Sequence, residues 1–320
     1  MGRRQTATGK AFEFALADAL HGQIGRQQCV LVRDGAYDVA SGAFGTMGRG
    51  EQKSYRAAAG AAIRHMVLLE PRLTVPGGMS VRIQRDVAGQ RGDVRDVLAV
   101  QQAADHGEWT VGFSAKNNHE ALKHSRLSET IDFGQRWMGV PCSEHYMSQA
   151  GQIFGRVHDL MDSGSCTLWS EVAEKHAIYG QILDAFQAEL TRLSGADDRV
   201  PPRLVQYLLG SHDFYKIIKR DEERIVRVQG FNLRGDLGRP APDGTRPRIK
   251  VPKLELPTRL REITKRGSTT LRASLDNGWE VSFRIHNASS KLEASLKFDV
   301  QLVGMPQRIY TSDQSWGNGR

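Results

Sequence analysis

The sequence is poor in cysteine and has no long apolar run. Its three cysteines, Cys29, Cys142 and Cys166, are far apart and odd in number. They lack the paired spacing of a zinc site, and they predict a reduced interior. No apolar stretch approaches the roughly 18 to 20 residues that span a bilayer. A cysteine-bound zinc and a membrane function are therefore not expected.

The N-terminal region also lacks the apolar core of a signal peptide. Arg3-Arg4 is similar to the start of a twin-arginine signal, but an amphipathic pattern follows it. We therefore expect a cytoplasmic protein.

Acidic residues are in the minority: the chain has 36 Asp and Glu and 44 Lys and Arg, which gives a formal net charge of +8. A polyanionic partner is compatible with this excess but is not required by it.

Apolar residues make up 39% of the chain, which is ample for one large domain or two smaller ones. Four segments have the pattern of helices: 10–20, 52–70, 117–127 and 170–193. Alternating residues predict a hairpin of two strands, 97–100 and 109–113, joined by a polar turn. The break at Pro201-Pro202 is the expected boundary between an α/β core over 1–200 and a β-rich region over 201–320.

Two long alternating runs in the β-rich region, 279–286 and 292–303, predict a ribbon with one buried and one polar face. On its second strand we expect Lys297, Asp299 and Gln301 to be exposed. Segment 234–272 contains eleven Lys or Arg, four Asp or Glu and five prolines. The prolines suppress regular structure, so this segment is expected to be either a flexible linker or a loop that wraps a polyanion.

The hairpin brings an acidic residue and a lysine together. With a turn centred near Asp105, Asp96 is expected opposite Ala115 or Lys116. Asp93 lies an odd number of residues from Asp96, so in a regular strand the two carboxylates would face opposite sides. We therefore favour Asp96 as the acid that shares the site with the lysine and keep Asp93 as the reserve. Solvent-facing edge charges are the alternative interpretation of this acid and this lysine.

This layout resembles the PD-(D/E)xK nucleases, whose acid and lysine occupy neighbouring strands. The resemblance implies that Asp96 and the Ala115 carbonyl bind Mg²⁺ while Lys116 orients or deprotonates a water. Ser114 stands where most of the superfamily has Glu or Asp, so a further carboxylate or a one-metal site is implied. The superfamily often has a glutamate on its first helix, and Glu13 is the candidate here, with a solvated helix residue as its alternative.

The surrounding blocks are similar to the HaeIII-type type II restriction endonucleases. They are GDVRDV at 92–97, FSAKNNH at 113–119, KHSRLS at 123–128, IDFG at 131–134, HDFYK at 212–216, LPTR at 256–259, FRIHNAS at 283–289 and SLKFD at 295–299. The resemblance implies a central mixed sheet flanked by helices, with a β-rich DNA-recognition region. It also implies double-stranded DNA as the substrate, cleavage within GGCC with blunt ends, a prokaryotic cytoplasm as the location, and a companion methyltransferase.

Candidate DNA contacts lie in both regions. His119, Lys123 and Arg126 would share one face of the predicted helix beside the catalytic lysine. In the ribbon, side chains of the polar face could reach base edges in a major groove. The further candidates are Asn117, Asn118, Arg259, Arg284, His286, Asn287, Lys297 and Gln301. A palindromic site has twofold symmetry, which favours a homodimer, although a monomer stays open.

Three other functions are alternatives to this one. Pro141-Cys142 is the dipeptide in which cytosine-5 methyltransferases hold their nucleophile, but no glycine-rich cofactor loop follows a strand near the N-terminus. The pairs Asn118-His119 and His286-Asn287 suggest an HNH nuclease only faintly. A non-catalytic DNA-binding regulator would keep the basic surfaces, yet no helix-turn-helix signature supports it.

Overall fold

The computed structural model describes residues 2–25, 28–85, 92–103, 107–118 and 122–317. In chain order the helices are α1 (Gly2–Ile24), α2 (Gly35–Gly45), α3 (Arg49–Leu69), α4 (Phe133–Met138), α5 (Glu144–Asp162), α6 (Lys175–Ala196) and α7 (Val200–Leu209). The strands are β1 (Cys29–Leu31), β2 (Met79–Ile83), β3 (Val97–Ala103), β4 (Gly107–Asn117), β5 (Lys123–Leu127), β6 (Phe214–Arg220), β7 (Ile225–Phe231), β8 (Leu260–Lys265), β9 (Thr270–Leu275), β10 (Glu280–Asn287), β11 (Leu296–Gly304) and β12 (Tyr310–Ser315).

The chain forms two compact units. The first combines Met1–Glu120, Gly210–Leu254 and Arg308–Arg320, and the second combines Ala121–Leu209 with Glu255–Gln307. The expected cut at residue 200 differs from this division, because β6, β7 and β12 lie beyond that residue and still join the sheet that contains the hairpin. Sequence order therefore does not separate the units.

The first unit is built on a mixed sheet in the order β1-β2-β3-β4-β6-β7-β12. The pairs β1–β2 and β4–β6 are parallel, and the other pairs are antiparallel. Helices α1, α2 and α3 share one apolar core with the sheet, to which β4 contributes Val111, Phe113 and Ala115. Side chains alternate between the faces of a strand, so Ser114 and Lys116 point to the other face. The expected mixed sheet flanked by helices is confirmed.

The second unit is built on an antiparallel sheet in the order β5-β11-β10-β9-β8. The ribbon expected from the two alternating runs is present as β10 and β11, in antiparallel register. Phe283 and Phe298 from its apolar face contact Phe186 of α6, with ring centroids 5.3 and 4.9 Å apart. Large buried rings contribute strongly to such a core, because each removes a wide apolar surface from water. The opposite face of the sheet carries the polar side chains.

The helix expected over 117–127 is wrong. Within the described residues, β4 extends through Asn117 and Lys123–Leu127 forms β5, which pairs with β11. Ser125 and Leu127 are buried whereas His124 and Arg126 are exposed, the period of two of a strand. The spacing of three and four that suggested a helix therefore does not place Lys123 and Arg126 on one face.

Two other helix boundaries also differ from expectation. Pro201-Pro202 does not interrupt the chain but lies in the first turn of α7. Proline is tolerated there, because the first N–H groups of a helix have no partner within the helix. The helix expected over 170–193 begins later, at Lys175, and ends at Ala196.

Candidate active site

Asp96 lies immediately before β3, at the point where this strand begins to pair with β4. Its backbone N–H donates to the carbonyl of Phe113 at 2.8 Å. Ala103 pairs with Gly107 and Val97 with Phe113, so Asp96 lies opposite Ser114. The expected position opposite Ala115 or Lys116 is therefore off by one or two residues, although both residues still contact the carboxylate.

Three successive residues of β4 contact Oδ2 of Asp96. The Ala115 N–H donates to it at 2.7 Å and the Ser114 hydroxyl at 3.2 Å, while Nζ of Lys116 lies 3.7 Å away. The side chains of Lys116 and Asp96 are 25% and 26% exposed. The acid and the lysine thus share one partly open site, as the sequence predicted.

The carbonyl of Ala115 faces the same edge as Asp96. In a β-strand the N–H and C=O of one residue point to the same neighbour. The Ala115 N–H points to Asp96, so its C=O also faces the edge where β3 has not yet begun. A carboxylate and a carbonyl side by side are the hard oxygen donors that Mg²⁺ accepts, and this donor set fits such an ion.

No group of three or more His, Cys, Asp or Glu suited to a metal occurs among the described residues. An ion at Asp96 would therefore have few protein ligands. Mg²⁺ is compatible with this, because it dehydrates reluctantly and usually keeps several waters when one or two carboxylates hold it.

Asp93 has a different environment. Arg95 donates to both of its oxygens at 2.8 Å, and Nε2 of Gln84 donates at 2.8 Å. Burial acts to raise the pKa of Asp93, but these hydrogen bonds and the Arg95 charge outweigh it and lower the pKa below the ordinary value. Arg95 in turn packs against Gly112, where an added Cβ would lie 2.0 Å from Cδ of the arginine. The Asp93–Arg95 pair therefore holds the segment that leads into Asp96.

Glu13 is buried in α1, 6% exposed, with Nζ of Lys10 2.9 Å from one oxygen. It is therefore not a solvated helix residue. Its helix packs on the sheet face that carries Phe113 and Ala115, whereas Ser114 and Lys116 are on the other face.

Sequence reasoning missed Lys216, a lysine that is only 4% exposed on β6. The parallel register pairs Lys216 with Ser114, and on its other side Lys216 pairs with the buried Gln229 of β7. Paired residues have their side chains on the same face, so Lys216 belongs to the face that carries Asp96, Ser114 and Lys116. Its signal in the sequence was a lysine within a strand that is otherwise mostly apolar.

Comparison with known proteins agrees with this geometry. The model of the family described as HaeIII restriction endonuclease matches residues 9–306. The chain is 36% identical over 323 aligned positions to the type II restriction enzyme HaeIII of Haemophilus aegyptius, covering 99% of each protein. The chain belongs to the HaeIII restriction endonuclease family. It is accordingly a type II site-specific deoxyribonuclease that acts on DNA.

The family generally implies a divalent metal, which the oxygen donors at Asp96 fit. No solved structure matches the chain significantly. Among the helices that the structure describes, none is long and apolar enough to span a membrane.

The polar face of the second sheet gathers several of the expected DNA contacts. The register pairs Arg284 with Asp299, Ser282 with Gln301, and His286 with Lys297. Arg126 on β5 pairs with Lys297, so the row extends to the edge strand. Asp299 differs from expectation, because it is buried at 3% exposure beneath this face.

Lys123 points to the opposite face of this sheet. Its ammonium donates to the carbonyl of Tyr207 at 3.0 Å and lies 3.6 Å from the centroid of the Tyr207 ring. Burial and the charge of Arg136 lower the pKa of Lys123 to about 8. The structure thus gives Lys123 an internal contact. His119 lies outside the described residues.

The remaining candidates lie at the ends of strands. Asn118 adopts a left-handed conformation (φ 51°), and its side-chain amide donates to Asp221 at 2.7 Å. The side-chain oxygen of Asn117 is buried without a hydrogen-bond partner among the described residues. Arg259 is 71% exposed with Nε 3.9 Å from Asp276. Asn287 accepts from the Tyr179 hydroxyl at 3.3 Å.

Segment 234–272, which was expected to lack regular structure, lacks it only in the part that precedes β8. It then forms β8 and enters β9, because its later residues alternate and pair with the ribbon.

Cys142 is unsuited to the methyltransferase alternative. Burial, followed by the hydrogen bond to Asp132, raises the pKa of the Cys142 thiol well above its ordinary value. A nucleophilic cysteine requires the opposite, because the thiolate is the reactive form.

Proposed function

We propose that this chain is a magnesium-dependent nuclease that hydrolyses phosphodiester bonds of double-stranded DNA within GGCC and leaves blunt ends. The observation that carries this proposal is the contact of Ala115, Ser114 and Lys116 with one carboxylate oxygen of Asp96. The recognition sequence and the blunt ends rest on the resemblance to the family.

Asp96, not Asp93, is the principal metal ligand in this proposal, together with the carbonyl of Ala115. Bound magnesium supplies charge neutralisation at the phosphate and a more acidic water. Lys116, 3.7 Å from Asp96, would orient or deprotonate the attacking water. The Ser114 hydroxyl and the Ala115 N–H hold the carboxylate in place.

We propose Glu13 as the additional carboxylate from the family resemblance alone, since Ser114 brings no charge and the helix of Glu13 packs on the sheet face opposite Ser114 and Lys116. Substitution of Glu13 by Gln tests this role. A ligand role predicts lower cleavage that higher Mg²⁺ partly restores. A structural role predicts a lower unfolding temperature and normal cleavage by the folded enzyme.

Lys216 belongs to the same proposal as a cation that stabilises charge developing on the phosphate. Its support is its register beside Ser114 and its burial, which strengthens an electrostatic interaction.

The polar face of the second unit's sheet is proposed as the recognition surface, with the exposed basic side chains of Arg126 and Arg284 and the row that includes Lys297. The Pro-rich stretch before β8, with Arg259, adds phosphate contacts.

We also propose a homodimer, since a palindrome presents two equivalent half-sites, and a separate methyltransferase that protects the same site.

The test is incubation of the purified protein with a sequenced plasmid and Mg²⁺, with and without EDTA, followed by mapping of fragment ends. Discrete, EDTA-sensitive, blunt ends within GGCC are expected. Discrete ends elsewhere would discard the inherited site, and intact DNA would contradict the nuclease assignment.

A further inference from the structure

An acidic residue lies at the centre of the basic face of the second unit's sheet. Asp299 on β11 is flanked by His124 of β5 on one side and Arg284 of β10 on the other. It is 3% exposed, whereas the side chains of Arg284 and His124 are 61% and 54% exposed. The carboxylate is thus embedded in a face whose other members reach solvent.

Only one of the two carboxylate oxygens is satisfied. Oδ2 accepts from Nη2 of Arg284 at 3.0 Å and from Nε2 of Gln301 at 3.4 Å. Oδ1 is buried and has no hydrogen-bond partner among the described residues, and Nδ1 of His124 is 4.0 Å from it. A buried acceptor without a donor costs free energy, so its presence calls for a group that donates to it in the working complex.

The charge of Asp299 indicates what kind of group that is. Phosphates are attracted to Arg126, Lys297 and Arg284, but a carboxylate among these side chains repels them. A surface that only bound phosphates would therefore gain nothing from Asp299. The edge of a base pair does offer donors, because cytosine N4 and adenine N6 both present amino hydrogens in the major groove.

Arg284 decides between these two bases. Arginine pairs with O6 and N7 of guanine, and in a G·C pair these acceptors lie beside the amino group of cytosine. Arg284 and Asp299 are directly opposite each other in the β10–β11 register, and the hydrogen bond to Oδ2 orients the guanidinium.

We propose that Asp299 and Arg284 together read one G·C base pair, with Oδ1 of Asp299 accepting from the 4-amino group of cytosine and Arg284 donating to guanine. This inference rests on the proposed function and adds Asp299 as a specificity-determining residue. Rotation of the exposed His124 side chain, whose Nδ1 is 4.0 Å from Oδ1, would open this oxygen to the base while Arg284 keeps its hydrogen bond to Oδ2.

The experiment compares duplexes that carry the site mapped with the wild-type enzyme. Each cytosine of the site is replaced in turn, on both strands, by 2-pyrimidinone, which lacks the 4-amino group. Binding in Ca²⁺ and cleavage in Mg²⁺ are measured for the wild type, Asp299→Asn and Asp184→Asn. Asp184 pairs with Lys265 on the surface of the same unit, so its variant controls for the loss of one negative charge.

The wild type is expected to lose about 10- to 100-fold in affinity at one cytosine position, the size of one good base contact. Asp299→Asn is expected to lose the preference for cytosine over 2-pyrimidinone at that position and to keep it at the other positions. Asp184→Asn is expected to behave as the wild type. Wild-type preference at every position in Asp299→Asn would overturn the inference.

Arg284→Gln provides a second variant at an exposed side chain, which leaves the core of the unit untouched. At the base pair that Asp299 reads, this variant is expected to lose the preference for guanine over 7-deazaguanine, which lacks the N7 acceptor. Loss at a different base pair overturns the inference. If the wild-type enzyme cuts no DNA, the proposed function is contradicted instead. If the wild type cuts DNA and Asp299→Asn keeps the wild-type base preferences, only this inference is contradicted.

Discussion

The backbone N–H of Ala115 donates to Oδ2 of Asp96 at 2.7 Å, at the point where β4 continues and β3 has not yet begun. A side-chain oxygen thus replaces the carbonyl that a paired strand would supply. This bond holds the carboxylate beside β4, next to the Ala115 carbonyl and within 3.7 Å of the Lys116 ammonium. The polar cluster at Asp96 is therefore positioned by main-chain geometry as well as by side chains.

Asp96→Ala and Lys116→Ala are expected to lower the cleavage rate by at least about 100-fold, because each removes several kcal/mol of stabilisation from the reacting phosphate. DNA binding should be spared, since the base and phosphate contacts that we propose lie mainly on the sheet of the second unit. Single-turnover cleavage and binding titrations in Ca²⁺ measure the two effects separately. Near-normal cleavage in either variant would contradict the assignment of that residue.

Asp93→Ala is expected to destabilise the first unit by about 1–3 kcal/mol, the cost of leaving a buried charged partner unpaired. Cleavage by the folded variant should persist, because the contacts of Asp93 are with Arg95, Gln84 and His212 and not with Asp96 or Lys116. Urea unfolding measures the first effect. The lowered pKa of Asp93 adds stability that is present above its ordinary 3.8 and is lost as the pH falls through the folded pKa, so the variant should lose this acid-side dependence.

Lys216→Met is expected to lower single-turnover cleavage by about 100-fold, as for other preorganised groups that stabilise a transition state, with DNA affinity retained. Lys219→Met is the matched control on the same strand. Lys219 is as deeply buried but is on the other face, where it pairs with Asp221 and lies over the rings of Tyr55 and Trp316. Its loss should reduce stability without reducing cleavage per folded molecule, and equal effects of both variants would contradict the role of Lys216.

Glu70→Gln is expected to make the protein more stable above neutral pH. Burial raises the pKa of Glu70 to about 7 from 4.5, although Tyr215 and Gly238 donate to its Oε1. Between these two values the folded state binds more protons than the unfolded state, so the free energy of unfolding falls as the pH rises, by about 3 kcal/mol in all. Glutamine keeps the acceptor and removes this decline, which unfolding measured from pH 4 to 8 would show.

Glu189→Gln is the control, because it is expected to change the stability at pH 8 in the opposite direction. Burial acts to raise the pKa of Glu189, but hydrogen bonds from Arg192 and Ser143 outweigh it and lower the pKa. This variant should therefore be less stable than the wild type at pH 8. A gain in stability at pH 8 from both substitutions would show that pairing of charge does not govern either site.

The hairpin and the ribbon could be predicted from sequence, because a strict period of two identifies a strand when one face is buried and the other is not. The short strand β5 could not, since Lys123 and Arg126 also fit a helical spacing and pairing with β11 decides the outcome. The Asp96–Lys116 pair followed from the turn. The position of Lys216 beside Ser114 did not, because it arises from register with a strand distant in sequence. The burial of Asp299 did not either, because the alternating pattern places it on the polar face.

The first unit contains β12, which pairs with β7 along the far edge of its sheet. During synthesis the N-terminal 120 residues emerge first, yet their sheet gains β6 and β7 only after 210, and its last strand only after 310. A partly made chain that ends before β12 therefore lacks the last strand of this sheet. For a protein that cuts DNA, the sheet that carries Asp96 and Lys116 is thus complete only after β12 has been synthesised.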